Sequence, residues 1–141
     1  MNASQQGRAA LPTPIRIAAP VISDQDGRIL LVRKRGTLYF MQPGGNMQDG
    51  ETAPEALVRE LEEELGCTVV DAQFLGVYSA RAANEPMRVV QATLFWTTIS
   101  GEIRAGAEIE EVTWIEPCKR GNLQLAPLTR DHVFPLVLRR R

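Results

Sequence analysis

The sequence has little net charge and few residues of the types that build many metal or redox sites. It contains 16 Lys and Arg against 17 Asp and Glu, a formal net charge of −1, with one histidine and two cysteines. A nearly neutral chain has no general electrostatic attraction to nucleic acids or anionic membranes, so we expect no specific nucleic-acid partner and no membrane partner. Cys67 and Cys118 stand in no metal-binding or redox spacing and are expected to be plain small apolar residues.

Long hydrophobic runs are also missing. No stretch approaches the roughly 20 apolar residues that cross a bilayer, and the first residues lack the apolar run of a secretion signal. Cytoplasmic residence is therefore the default expectation. With 141 residues, 44% of them hydrophobic and 23% charged, the chain is typical of one globular domain. We expect a flexible polar arm over residues 1–14 and a single domain over 15–141.

Segments rich in β-branched and aromatic residues predict the strands of a mixed sheet. They are residues 16–22, 28–34, 68–82, 88–99 and 110–116, with a further short strand within LYFMQPGG, residues 38–45. The turn residues SDQDG at 23–27 favour a hairpin between the first two strands. The final segment, PLTRDHVFPLVLRRR, predicts a short helix that Pro135 kinks or deprives of one hydrogen bond.

One helix has clear start and stop signals. Thr52 and Glu55 have the spacing of a capping box, and Gly66 stands where a left-handed residue ends a helix, so the predicted span is Ala53 to Leu65. On a helical wheel Leu57, Leu61, Leu65 and Val58 form one apolar stripe, which predicts burial against a sheet.

The same helix concentrates negative charge near its end. Glu63 and Glu64 lie about 60° and 40° on either side of Glu60, so three carboxylates share one arc beside the apolar stripe. Each like-charged pair costs about 0.2–0.5 kcal/mol, and negative charge in the last turn opposes the helix dipole at about 0.3–1 kcal/mol per charge. The arc can be a solvated surface, or it can bind a divalent cation such as Mg²⁺ or Mn²⁺, for which carboxylates are preferred ligands.

From Gly44 to Cys67 the chain reads GGNMQDGETAPEALVRELEEELGC, and this resembles the Nudix box, G-x5-E-x7-R-E-U-x-E-E-x-G-U, where U is a bulky aliphatic residue. The fixed positions are occupied by Gly45, Glu51, Arg59, Glu60, Leu61, Glu63, Glu64 and Gly66. Cys67 departs from the final aliphatic, which puts little in doubt because cysteine is small and apolar. The resemblance to the Nudix hydrolase family implies an α/β Nudix fold, a mixed β-sheet sandwiched between helices.

The resemblance also implies residue roles. Glu60, Glu63 and Glu64 are expected to bind Mg²⁺, with Mn²⁺ as an alternative and the Gly45 carbonyl as a further ligand. Glu51 and Arg59 resemble the ion pair that holds the box loop onto its helix. The implied reaction is metal-dependent, MutT-like hydrolysis of a pyrophosphate bond in a nucleoside diphosphate linked to another group.

Several roles remain open. The catalytic residues are expected among Glu60, Glu63 and Glu64, and the general base is either Glu63 or Glu64, or a carboxylate of a later loop, namely Glu108, Glu110 or Glu111. Arg33, Lys34 and Arg35 are weaker candidates for binding phosphate, with Arg33 and Arg35 on one strand face and Lys34 on the other. Tyr39 is a weaker candidate for stacking on a base. Phe40, Trp96 and Trp114 are more typical of the core, and His132 of a helix surface.

The substrate and the assembly are also open. Ala82 stands where the ADP-ribose subgroup usually carries a proline, and Glu85 where the dinucleoside polyphosphate subgroup usually carries a tyrosine. A nucleoside triphosphate or a nucleotide derivative such as ADP-ribose is the expected small-molecule partner. A nucleotide-binding or regulatory module without catalysis is the alternative, although such modules typically lose box glutamates. Family members are often homodimers, but no segment marks an interface.

Overall fold

The computed structural model describes residues 13–85 and 87–140. The elements in chain order are strands β1 (Ile15–Val21), β2 (Ile29–Lys34), β3 (Phe40–Met41) and β4 (Gly45–Asn46), helix α1 (Ala53–Leu65), strands β5 (Thr68–Arg81), β6 (Val89–Ser100) and β7 (Ile109–Ile115), a 3₁₀ turn (Pro117–Lys119), a π-helical turn (Thr129–Val133) and helix α2 (Phe134–Arg139). Every predicted strand segment contains a strand, and the predicted bounds of α1 are confirmed. The arm predicted for residues 1–14 falls outside the described residues except for Thr13 and Pro14, and so does Arg141.

The strands form two sheets. The first has the order β4-β1-β6-β5, in which β1 runs parallel to β6 and the other neighbours are antiparallel; the second is an antiparallel sheet with the order β3-β2-β7. The mixed α/β architecture is as predicted.

The predicted hairpin between β1 and β2 is limited to its turn. The turn does form, because Asp24 N donates to Arg28 O at 2.9 Å and Leu30 N donates to Ile22 O at 2.9 Å, but the strands then enter different sheets. Both edges of β1 are taken by β4 and β6, and both edges of β2 by β3 and β7. Beside the turn, an antiparallel bridge joins Ser23 to Ile29, and the pairing does not continue into the two strands.

Two core clusters place helical segments on opposite sides of the strands. One contains Leu57, Leu61 and Leu65 of α1 with Leu30 and Val32 of β2. The other contains Val133 of the π-helical turn and Phe134 and Val137 of α2 with Ile29 and Leu31 of β2. Successive residues of β2 thus face opposite clusters, as strand geometry requires. The layered order of helix, strands and helix follows.

Helix α1 begins and ends with the predicted capping residues. Thr52 Oγ1 accepts from Glu55 N at 3.3 Å and Glu55 Oε1 accepts from Thr52 N at 2.9 Å, which completes the capping box. Gly66 ends the helix at φ 65°. The leucine stripe is buried, but the burial predicted for Val58 is wrong, since that residue is 46% exposed. Val58 lies at the edge of the stripe, beyond the width that the sheet covers.

The C-terminal helix contains an irregular turn. Phe134 N donates to Thr129 O, five residues earlier, which is the π-helical pattern. Residues 127–139 are helical without a break, so Pro135 lies inside the helix, directly after this turn, and supplies no N–H to it. The irregular turn therefore lies beside the proline for which an irregularity is predicted.

The two cysteines have different environments. Cys67 is buried against the α1 core, as predicted for a residue in an aliphatic position, whereas Cys118 is exposed; both are free thiols. Among the residues that the structure describes, no helix combines the length and the apolar character needed to cross a membrane.

Candidate active site

The loop Pro43–Gly45 brings the backbone of β4 against the acidic face of α1. Gly44 has φ +111°, and a Cβ there would collide with the backbone of Ala18 in β1. A Cβ on Gly45 would lie 2.7 Å from Cδ of Glu60. Only glycine leaves room for both approaches. The double glycine therefore sets how close the loop comes to the carboxylates.

Glu60 and Glu64 form a carboxyl pair beneath this loop. Glu64 is only 7% exposed, and Gly44 N donates to its Oε1 at 3.3 Å. Burial raises the pKa of Glu64 to about 8, the Lys34 charge opposes this rise, and the charge and hydrogen bond of Glu60 add to it. The pair is therefore stable when Glu64 is protonated and its hydroxyl group donates a hydrogen bond to Glu60.

Glu63, the third carboxylate of the predicted site, faces outward. It is exposed, and its Oε2 accepts from Arg59 Nη1 at 3.3 Å. Within residues 13–85 and 87–140 the structure assembles no group of three or more side chains positioned to hold a metal ion. Glu60 and Glu64 are brought together, and Glu63 is linked to Glu60 through Arg59 Nη1, which donates to both carboxylates.

Arg59 ties the acidic face to the preceding loop. It contacts both Glu51 oxygens, with Nε to Oε2 at 2.8 Å and Nη2 to Oε1 at 2.9 Å, and Nη2 also donates to Asn46 O at 3.0 Å. Its Nη1 donates to Glu60 Oε1 at 2.9 Å. The Arg59 hydrogen bonds, helped by Gln48 N, lower the pKa of Glu51 to about 2. The contacts agree with the supporting role predicted for Glu51 and Arg59, because one guanidinium joins the loop, β4 and Glu60.

The residues present fit a divalent cation. Two mutually repelling carboxyl groups converge in a largely buried place, and the pair now needs a proton to lower its charge. A cation with hard oxygen preference would serve the same electrostatic purpose. Glu60 and Glu64 are the side chains that would hold it, with Glu63 and the backbone of Gly45 beside them.

A cavity of about 170 Å³ opens next to this pair. Lys34, Gly44 and Gly45 form the wall nearest the carboxylates, and apolar residues Ile17 and Leu128 are among those that line the rest. Lys34 lies on the β2 face shared by Leu30 and Val32, which pack toward α1. Arg81 and Glu85 also line the cavity, and the cations Lys34 and Arg81 on its wall are suited to an anionic ligand.

Arg33 and Arg35, predicted to bind phosphate, are engaged elsewhere. Arg33 donates from Nε and Nη2 to Glu111 Oε1 at 3.2 and 3.1 Å, and Arg35 Nη1 lies 2.6 Å from Glu110 Oε2. Neither arginine lines the cavity, and Tyr39 does not line it either. Their role in substrate binding stays a prediction.

The structure also places the loop carboxylates considered as bases. Glu110 and Glu111 form the ion pairs just described with Arg35 and Arg33, on the side of β2 and β7. Glu108 is exposed, and its carbonyl accepts from Arg35 N at 2.8 Å. Of the candidate bases, Glu64 contacts the glycine loop through Gly44 N, and the loop before Glu108 packs on the end of α1, where Gly106 N donates to Glu64 O at 2.7 Å.

Of the three side chains considered for phosphate contacts, Arg33, Lys34 and Arg35, only Lys34 lines the cavity. Two buried polar residues of the cavity wall, Gln42 and Thr129, were missed by sequence reasoning. Gln42 and Thr129 are buried polar residues from distant parts of the chain. A polar Gln directly before Pro43-Gly44-Gly45 was a usable signal, whereas nothing local marks Thr129.

Known proteins resemble this chain in sequence and structure. The NUDIX domain family profile matches residues 12–135. An ADP-ribose pyrophosphatase of Methanocaldococcus jannaschii is 32% identical over 103 residues, which cover 71% of this chain and 61% of that protein. An 8-oxo-dGTP diphosphatase of Haemophilus influenzae is 32% identical over 72% of this chain and 76% of its own length.

Solved structures give the same result for the fold. A MutT NUDIX hydrolase from Burkholderia pseudomallei superposes with a TM-score of 0.68 and 26% identity, covering 91% of this chain and 98% of that one. The match to the family profile covers most of the chain, including the glycine loop and α1. The chain belongs to the Nudix family.

Proposed function

We propose that this protein is a Mg²⁺-dependent pyrophosphohydrolase that cleaves a nucleoside diphosphate linked to another group, with water attacking a phosphorus atom. The observation that carries the proposal is the Glu60–Glu64 carboxyl pair held against Gly44 and Gly45 at the mouth of a cavity. The related proteins named as an ADP-ribose pyrophosphatase and an 8-oxo-dGTP diphosphatase support the reaction class. The substrate is a nucleoside triphosphate or a nucleotide derivative of this kind.

A divalent cation held by Glu60 and Glu64, with Glu63 and the Gly45 carbonyl as further ligands, would lower the pKa of bound water and neutralise phosphate charge. Mn²⁺ offers the same oxygen preference and is expected to substitute for Mg²⁺. Arg59 orients Glu60 through the 2.9 Å contact and holds the Asn46 carbonyl in place. Its role is positioning, because it acts through these groups.

The proton of the attacking water needs a carboxylate within hydrogen-bond reach. Glu63 is exposed at the rim of the acidic face, and Glu64 is buried under Gly44. A base at the rim is reached by solvent without opening the loop, so the exposure of Glu63 supports it as the base and the burial of Glu64 supports a ligand role.

Lys34 is the cation that borders both the carboxyl pair and the cavity. Its ammonium group can donate to phosphate oxygens of a substrate whose nucleoside portion enters the cavity. The phosphate chain would then lie between Lys34 and the acidic face of α1, which aligns the anhydride bond with the carboxylates.

The experiment that tests the proposal is a hydrolysis assay with product identification. The panel contains the nucleoside triphosphates, 8-oxo-dGTP and ADP-ribose, each with Mg²⁺ and with excess chelator. We expect turnover only with the metal, and a loss of at least about 100-fold in both Glu63→Gln and Glu64→Gln. Glu62→Gln, the same change at an exposed position of α1, serves as the matched control.

Two outcomes would contradict the proposal. Turnover that persists in chelator would remove the role assigned to the acidic face. Tight, metal-dependent nucleotide binding without any hydrolysis would identify a binding or regulatory module.

A further inference from the structure

Two buried polar side chains meet on the cavity wall, and the reaction described above does not use them. Gln42 is 6% exposed and Thr129 is fully buried. Thr129 Oγ1 donates to Gln42 Oε1 at 2.9 Å, and Gln42 Nε2 donates to Pro20 O at 3.3 Å. The contact joins the segment before the glycine loop to the π-helical turn, 87 residues away.

The hydrogen bonds fix which group faces which way. The carbonyl of Pro20 can only accept, so it holds the Nε2 end of the amide, and Oε1 is left to face Thr129. Thr129 must then give its single hydroxyl proton to Oε1. Gln42 keeps one amide N–H as a spare donor and spare acceptor capacity on Oε1, whereas the fully buried Thr129 acts by holding the amide in this orientation.

The surroundings of the pair suit a flat ring. Apolar side chains line the cavity beside it, among them Ile15, Ile17, Val90 and Leu128. The volume, about 170 Å³, is below the roughly 300 Å³ at which pockets for whole drug-sized ligands begin. The cavity therefore takes one portion of a ligand. Its wall combines these apolar side chains with the charged side chains of Arg81 and Glu85, and the donor and acceptor of the Gln42–Thr129 pair match the polar edge of a nucleobase.

We propose that the Gln42–Thr129 pair determines base specificity by binding the edge of a nucleobase that carries an amino group beside a ring acceptor. The inference rests on the proposed function, since it names the part of the nucleotide that enters the cavity. The spare amide N–H of Gln42 donates to the ring acceptor, Gln42 Oε1 accepts from the amino group, and Thr129 positions the amide through its hydrogen bond to Oε1. A base without the amino group leaves a buried acceptor without its partner, which lowers affinity.

Equilibrium binding in excess chelator tests this without any hydrolysis. Calorimetry compares adenosine 5′-monophosphate with purine riboside 5′-monophosphate, and cytidine 5′-monophosphate with its 2-pyrimidinone analogue, each pair differing only by the amino group. The wild-type protein is expected to prefer the amino-bearing member of at least one pair by about 10-fold, which is the scale of one hydrogen bond. Equal affinity within both pairs, or no binding of any of the four, overturns the inference.

Variants test whether the Gln42–Thr129 pair causes the preference for the amino-bearing base. Gln42→Met keeps the approximate shape without the amide and is expected to reduce the preference to about 1-fold to 2-fold. Gln73→Met makes the same change on the exposed surface of β5 and should keep the full preference. A full preference in Gln42→Met contradicts the proposal.

A second pair of variants decides the question if Gln42→Met does not fold, as judged by its melting curve. Thr129→Ser keeps the hydroxyl and should keep the preference, while Thr129→Val removes the hydroxyl and should lose it. The same behaviour in both refutes the assignment. If the protein prefers the amino-bearing nucleotides but hydrolyses nothing in the full panel, the proposed function is wrong and this inference stands. If it hydrolyses a substrate but shows no amino-group preference, this inference is wrong and the proposed function stands.

Discussion

Glu64→Gln tests the electrostatics of the carboxyl pair in the metal-free protein. In the wild type, the pKa of Glu64 rises from its ordinary 4.5 to about 8 on folding. Between these values the folded protein keeps a proton that the unfolded chain has released, so the free energy of unfolding falls as pH rises. At about 1.4 kcal/mol for each unit of pKa, the upper limit of this loss is about 5 kcal/mol.

Glutamine cannot ionise, so the variant should lack this pH dependence. It can still accept from Gly44 N and donate to Glu60, as the protonated wild-type side chain does. We expect the two proteins to have similar stability below pH 4.5 and the variant to be more stable by several kcal/mol near pH 9. Glu64, which is proposed to be needed for catalysis, therefore destabilises the metal-free folded protein when it is ionised.

The assay is urea unfolding in chelator at intervals from pH 4.5 to 9, with Glu62→Gln as the exposed control on the same helix. Excess Mg²⁺ at pH 9 should then stabilise the wild type by about 2.7 kcal/mol when its concentration is 100 times the dissociation constant. The variant should gain much less. A pH slope in Glu64→Gln equal to that of the wild type would refute the reasoning, and so would equal stabilisation at pH 5 and pH 9.

Three further predictions concern the loop, the arginine clamp and the cavity. Gly44→Ala should lower the free energy of unfolding by roughly 3 kcal/mol or more because its Cβ meets the backbone of Ala18. Gly36→Ala is the control: Gly36 has φ +80° and open space around it, so this change should cost about 1 kcal/mol. Equal losses of the two variants in denaturant titrations would contradict the close approach of Gly44 to Ala18. Arg59→Lys loses the two-pronged contact with Glu51 and should lower Tm by about 5 °C at pH 7. Because the pKa of Glu51 is lowered to about 2, that deficit should shrink as pH falls from 4.5 toward 2, and a deficit that stays constant down to pH 2 would count against the ion pair. Lys34→Gln should raise KM for the best substrate by about 10-fold because a charged hydrogen bond is lost. Lys119→Gln, at an exposed lysine in the 3₁₀ turn, is the control in the same assay. An unchanged KM in Lys34→Gln would show that Lys34 does not bind the phosphate.

Local signals predicted local structure well. The capping box and Gly66 determine the ends of α1 because each acts through hydrogen bonds within a few residues. The β1–β2 pairing does not continue past its turn for the opposite reason. The partner of a strand depends on the packing of the whole sheet, whereas the turn residues at 23–27 determine only that the chain changes direction there. Val58 failed because a helical wheel gives the direction of a side chain but not the width of the surface that covers it.

The site divides in the same way. The box names Glu60, Glu63 and Glu64 as the carboxylates of the site, which stays a prediction, and the pairing of Glu51 with Arg59 follows its spacing. That Glu63 is exposed while Glu64 is buried depends on neighbours in three dimensions, which the box does not contain. Lys34 and Thr129 reach the cavity through the packing of β2 and the C-terminal turn, and no short stretch of sequence contains that information.

The parallel pairing of β1 with β6 has a consequence for synthesis of the chain. Ile15 pairs with Val90, and Val21 pairs with Trp96, so β1 leaves the ribosome long before its central partner has been translated. Contacts so distant along the chain close late. Until then the apolar residues of β1 are open to chaperones, and a nascent chain stalled before Val89 should remain accessible to protease at β1 even though α1 is already complete.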